Sequence, residues 1–113
     1  MIETYSFGNI RINGKSYSSD VKIIGGKVVS NWWRKTGHVV DVDDVTDILN
    51  SDVEILVVGM GQPGLMKVSP ALKSELKNRG IELIEKPTAE AYVEFNRLHA
   101  KGKKVAGAFH LTC

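Results

Sequence analysis

At 113 residues the chain is long enough for one domain that buries roughly two-thirds of the surface its unfolded form exposes, so no disulfide or metal staple is needed to hold it. Fifteen Lys and Arg are interleaved with thirteen Asp and Glu, which excludes the one-sign field of a dedicated nucleic-acid binder. One cysteine, Cys113, excludes an internal disulfide or a cysteine-built metal cage, and no apolar run approaches the roughly 20 residues of a membrane span.

The start, Met1-Ile2-Glu3-Thr4, has no basic leader ahead of an apolar stretch, so a soluble, cytoplasmic protein is expected. The first third then reads as strands and turns. Asn9 to Ile12 alternates polar and apolar, Asn13-Gly14 supplies two residues that tolerate positive φ, and Lys15 to Tyr17 returns alongside, which predicts a tight hairpin. Val21 to Ile24, Gly25-Gly26 and Lys27 to Val29 repeat the pattern and predict a second hairpin. Together they are expected to form an antiparallel layer.

From Asp41 the grammar changes. Asp41 or Asp43 caps a predicted short helix in which Val42, Val45, Ile48 and Leu49 share a face. Glu54 to Val58 is too continuously apolar for a strand wet on one side, which predicts a central strand covered on both faces. Ser69-Pro70 opens a helix as N-cap and first residue, and Arg79-Gly80 closes it. Ile81 to Ile84 is the next strand. Pro87-Thr88 opens a helix that Gly102 stops, and Lys104 to His110 is the last strand. This alternation predicts an α/β fold, a single domain over residues 1–113 in which three layers are built around a mixed sheet with the N-terminal β-hairpins added against it.

Several motifs fall in a fixed order: Trp33-Arg34-Lys35-Thr36-Gly37, Gly59-x-Gly61, Arg79-Gly80-Ile81, Thr88-x-x-Ala91, Phe95-Asn96-x-Leu98, Gly102 and the closing Gly107-Ala108-Phe109-His110-Leu111-Thr112-Cys113. That series resembles the adipogenesis-associated domain family, a domain of unknown function, over essentially the whole chain. The resemblance implies a mixed sheet in β+α/β/α layers and leaves the biochemistry largely unassigned. One branch of that family is mitochondrial and similar to an assembly factor for respiratory complex I. Another is cytosolic and linked to adipogenesis, and the Phe-His-Leu-Thr-Cys ending resembles it. Some relatives carry a second cysteine for an internal disulfide, which has no counterpart here.

Ligands of open α/β sheets gather beyond the carboxyl ends of the strands, which directs attention to Gly59 to Gly64 and to His110. Backbone N–H groups of Gly59, Gly61 and Gln62 are placed to cradle an anion, against the plainer reading that the glycines permit a tight exit from the sheet. Trp32-Trp33-Arg34-Lys35 sets two rings beside two cations. Trp33 and Arg34 are candidate anchors for a protein partner, against the plainer reading that one Trp plugs a gap, the other covers an edge, and Arg34 lies over a ring. Asn96 either caps neighbouring backbone or holds a ligand.

His110 is the acid–base candidate by residue type, though alternation, if the strand continues that far, places Cys113 on the opposite face and argues against a Cys–His nucleophile pair. His38, His99 and His110 have no helical pairing, so neither a metal nor a cofactor is expected. The chain therefore reads as a non-catalytic protein-binding or assembly module, monomeric or weakly dimeric. The competing reading is a small-molecule or anion-binding enzyme that uses the Gly59–Gly64 crevice.

Overall fold

Asn13 and Gly14 take φ of 49° and 82°, the pair of positive values that a two-residue hairpin needs. In the computed structural model, which describes residues 1–113, this turn joins β2 (Asn9–Ile12) to β3 (Lys15–Tyr17). With β1 (Ile2–Ser6) they form an antiparallel sheet in the order β1-β2-β3.

The second hairpin, β4 (Val21–Ile24) and β5 (Lys27–Val29), forms as expected but goes elsewhere. Instead of lying in the N-terminal layer it extends the central sheet, where β4 runs antiparallel to β10 (Val105–His110), with Ile23 opposite Gly107 and Val21 opposite Phe109. The reason lies in β4 itself. Val21, Lys22 and Ile23 are all buried, so this strand is covered on both faces, and the Lys22 ammonium satisfies itself on Asp47 at 2.7 Å.

After the two-residue β6 (Val39–Val40), the expected short helix is a 3-10 turn over Val42–Asp44 followed by one α-helical turn, α1 (Thr46–Leu49). Asp41 caps it reciprocally with Asp44. Next come β7 (Ile55–Met60), β8 (Lys67–Val68), α2 (Pro70–Asn78), β9 (Glu82–Lys86), α3 (Thr88–Ala100) and β10. Ser69 caps α2 by accepting from the Leu72 amide at 3.0 Å. The central sheet runs β5-β4-β10-β7-β9, with β10, β7 and β9 parallel, and a two-residue parallel ladder pairs β6 with β8.

Strand alternation divides the core between the two faces of that sheet. Leu56, Val58, Met60, Ala106 and Ala108 meet Trp32, Ile48, Leu72 and Leu76 on one side. Ile55, Val57, Val105 and Phe109 meet Ile2, Ile10, Ile12, Phe95 and Leu98 on the other. Each Val, Leu, Ile, Met or Phe among them contributes about 1.5–3 kcal/mol on full burial. The β1–β3 sheet and α3 thus cover one face, α1 and α2 the other, and the carboxyl ends of β7 and β10 emerge side by side, with Met60 opposite His110.

Candidate functional site

β10 ends at His110, and three separate segments hold its exit in place. Thr88, the fully buried first residue of α3, donates its hydroxyl to the His110 carbonyl at 2.6 Å and accepts from the Gly61 amide at 2.9 Å. The next carbonyl, Leu111, accepts from Tyr5 Oη at 2.8 Å and from the Gly8 amide at 2.9 Å, while the Leu111 amide donates to Asp20 Oδ1 at 2.8 Å. The backbone groups that leave the strand are thus held by partners from three segments, as ladder bonds hold a strand interior.

The same Asp20, in the turn that precedes β4, organises the charges. Its Oδ2 accepts from Arg34 Nη2 at 2.8 Å and lies 2.7 Å from His110 Nδ1. An ionised carboxylate only accepts, so the Nδ1 of His110 carries a proton. Burial alone would raise the Asp20 pKa, but the hydrogen bonds from His110, the Leu111 amide and Arg34 outweigh it and hold the carboxyl below its ordinary value. Tyr5 moves upward, first through burial and then through the Asp20 charge. Arg34 also donates Nε to the Gly37 carbonyl at 3.0 Å and lies over the Trp32 ring, 4.6 Å from its centroid. Trp32 is buried, with Nε1 donating to the Asp44 carbonyl at 2.9 Å.

Above this cluster opens a cleft of about 600 Å³. Asp20, Arg34 and His110 line it together with Ser18, Ser19, Asn31, Trp32, Trp33, Gly37, His38, Thr112 and Cys113. Trp33 is 84% exposed, and the His38 ring stands edge-on to His110 at 5.8 Å between centroids. No three His, Cys, Asp or Glu side chains stand together as a metal-binding group.

Trp33, Arg34 and His110 come together in one place, at the cleft. The glycine loop does not join them as a cradle. A Cβ on Gly59 would come within 2.8 Å of Thr88 Oγ1 and 2.9 Å of Phe109, and one on Gly61 would press on the Thr112 carbonyl and reach 2.7 Å from His110 Cδ2. These glycines allow close packing behind His110. The Gly61 amide is given to Thr88 and the Gln62 amide to the Thr112 carbonyl, so neither is free for an anion, and the cleft lies by Trp33 rather than at Gly59–Gly64.

Asn96 stands apart from the cleft. Its amide donates to the Ile2 carbonyl at 2.7 Å and accepts from the Ile2 amide at 3.0 Å, the backbone-capping role. Cys113 is exposed and lines the cleft along with Thr112, because β10 stops at His110 and alternation no longer governs the residues beyond it. Asp20 and His38 were not singled out from the sequence. Asp20 sits in a polar Ser18-Ser19-Asp20 turn with no local signal, and its partner is 90 residues away.

Fold and site define a small α/β scaffold in which β10 brings His110 to Asp20 and Arg34 of the neighbouring segments, in a cleft at the strand's carboxyl end. The chain belongs to the family described as Protein of unknown function (DUF498/DUF598), whose model matches residues 2–110. Among solved structures it is similar to the conserved hypothetical protein PH1505 from Pyrococcus horikoshii OT3, at 30% identity and a TM-score of 0.88, over 100% of this chain and 99% of that one. The structure named MT938 matches at 24% identity and a TM-score of 0.83, over 100% and 98%. An outer membrane protein from Bartonella henselae shares the fold at 22% identity and a TM-score of 0.81, over 99% and 94%. In the present chain no helix is long and apolar enough to cross a membrane.

Proposed function

We propose that this protein is a non-catalytic binding or assembly module that seats part of a protein partner in the cleft beside Trp33. The observation that carries the reading is Trp33 itself, a large ring 84% exposed at the rim of a cleft whose floor is held rigid by Asp20. Exposed Trp on a fixed backbone is the side-chain type that anchors interfaces, since its contact area is large and it loses little rotamer freedom on binding. Arg34 supports the ring's surroundings by lying over Trp32. The resemblance to the adipogenesis-associated family, a cytoplasmic location and a monomeric or weakly dimeric state belong to this proposal.

Affinity capture with the intact protein and with Trp33→Ala tests it. A stoichiometric partner lost in a variant that unfolds at the wild-type temperature supports the reading, and an unchanged partner set refutes it.

A small-molecule or anion-binding enzyme is favoured by one observation. Asp20 orients His110 through Nδ1, the arrangement by which a carboxylate readies an imidazole for proton transfer. The reading is weaker because no nucleophile bonds His110 Nε2, and the loop amides expected to cradle an anion are already occupied. Turnover by purified protein that is abolished in His110→Gln would establish it.

A further inference from the structure

Two buried polar atoms in the cleft wall have no protein partner: Nη1 of Arg34 and Nε2 of His110. Both side chains are more than nine-tenths buried, at 6% and 8% exposure. They are also neighbours, with Arg34 Nη2 3.3 Å from His110 Nδ1. Nearly every other polar atom of the cluster is engaged, so these two stand out against a site otherwise fully bonded. A buried guanidinium N–H left without a hydrogen bond is destabilising, and an acceptor that reaches Arg34 Nη1 recovers that loss.

We propose that the cleft recognises a carboxylate on a peptide segment of the protein partner, held jointly by the Arg34 guanidinium and the His110 imidazole. The inference rests on the protein-binding reading above and names the chemistry of the anchor. A carboxylate is planar, accepts only, and matches the edge of a guanidinium. It adds one negative charge to a pair, Arg34 and Asp20, that is already neutral. A phosphate would add nearly two beside Asp20. The single added charge is balanced when His110 takes a second proton, so that both ring nitrogens donate, Nδ1 to Asp20 and Nε2 to the ligand.

The groups facing that imidazole are few. Asp20 comes from the turn before β4, Arg34 from the segment after β5, His38 from the segment before β6, and Cys113 lines the same cleft. The β7 and α3 sides present Met60, Gly61 and Thr88, none of them charged. Nη1 and Nε2 are buried, so entry needs a side chain to move. His38, exposed and edge-on to His110, is placed to do so. The exposed Trp33 ring then receives the apolar residue next to the acidic one.

The test is an NMR titration of the full chain, following the Arg34 Nε–H and the His110 ring nitrogens. Benzoate is the first probe and uncharged benzamide its control. Saturable shifts of both residues with benzoate, at least about tenfold weaker with benzamide, are the expected result. Blocked Leu-Glu and Leu-Gln dipeptides then identify the source, and the Glu form should bind about tenfold more tightly than the Gln form.

No saturation with benzoate, equal binding of benzamide, or the same shifts with chloride overturns the inference. Benzoate binding while the Glu dipeptide is inert means a free small acid and overturns the peptide source. If neither acid binds but Trp33→Ala still loses the partner, the carboxylate falls and the protein-binding reading stands. Acid binding beside an unchanged Trp33→Ala partner set removes that reading, and the peptide source with it.

Discussion

Two ion pairs of nearly equal length sit in opposite settings. Arg34–Asp20, at 2.8 Å, is 6% and 15% exposed, whereas Lys104–Asp52, at 2.7 Å, is 62% and 89% exposed. The exposed pair gains little over two hydrated ions and is screened by salt. The buried one has given up its water, and every remaining bond of Asp20, to His110 and to the Leu111 amide, becomes part of what holds the cleft. Distance alone therefore says nothing about which pair matters. Desolvation and the number of groups left stranded decide it.

The largest expected effect follows from stranding those groups. Asp20→Ala removes the counter-ion of a buried guanidinium, strands Arg34 Nη2 and the Leu111 amide, and should cost about 3 kcal/mol or more in denaturant unfolding. Adding Arg34→Met to that variant should recover part of the loss, and strictly additive effects would mean that the pair is not coupled. Gly61→Ala comes next. Its Cβ would press on the Thr112 carbonyl at a φ of 89°, so about 2 kcal/mol should be lost.

The acid limb separates the two pairs further. Because the folded Asp20 pKa is depressed, its contribution is complete above the ordinary carboxylate pKa and is lost as pH falls through the lower folded value. Wild type and Asp20→Asn should therefore converge in stability under strongly acidic conditions and differ most at neutral pH. If their difference is constant with pH, the charge of Asp20 is not what stabilises the cleft. At the small end, Lys104→Ala should leave the thermal midpoint unchanged at any ionic strength, since Lys104 stands in open solvent. A salt-sensitive loss there would erase the contrast.

Much of the scaffold was legible because its signals are local. Asn13-Gly14 carries its own turn, Ser69-Pro70 its own cap, and the run Ile55 to Val58 its own burial. The site was legible only in part. Trp33, Arg34 and His110 stand out by residue type, but Asp20, which joins two of them, lies in a turn that any solvated loop could contain. The placement of β4 was likewise hidden, since nothing within Val21 to Ile24 says that its neighbour is β10, some 85 residues on. The sequence left the glycines between a tight exit from the sheet and an anion cradle, and nothing local tells that the Gly61 and Gln62 amides serve Thr88 and Thr112 or that Gly59 and Gly61 sit where a Cβ would not fit.

The position of β10 between β4 and β7 has a consequence for time as well as for shape. It is the only strand joining the antiparallel edge of the central sheet to its parallel half, and its pairing of Phe109 with Val21 closes a loop of most of the sequence. Such distant closure is slow, because chain entropy is lost before the contact is gained. Refolding should accordingly be paced by the docking of β10, and the cleft, built on the residue at its tip, should be the last part of the molecule to become competent.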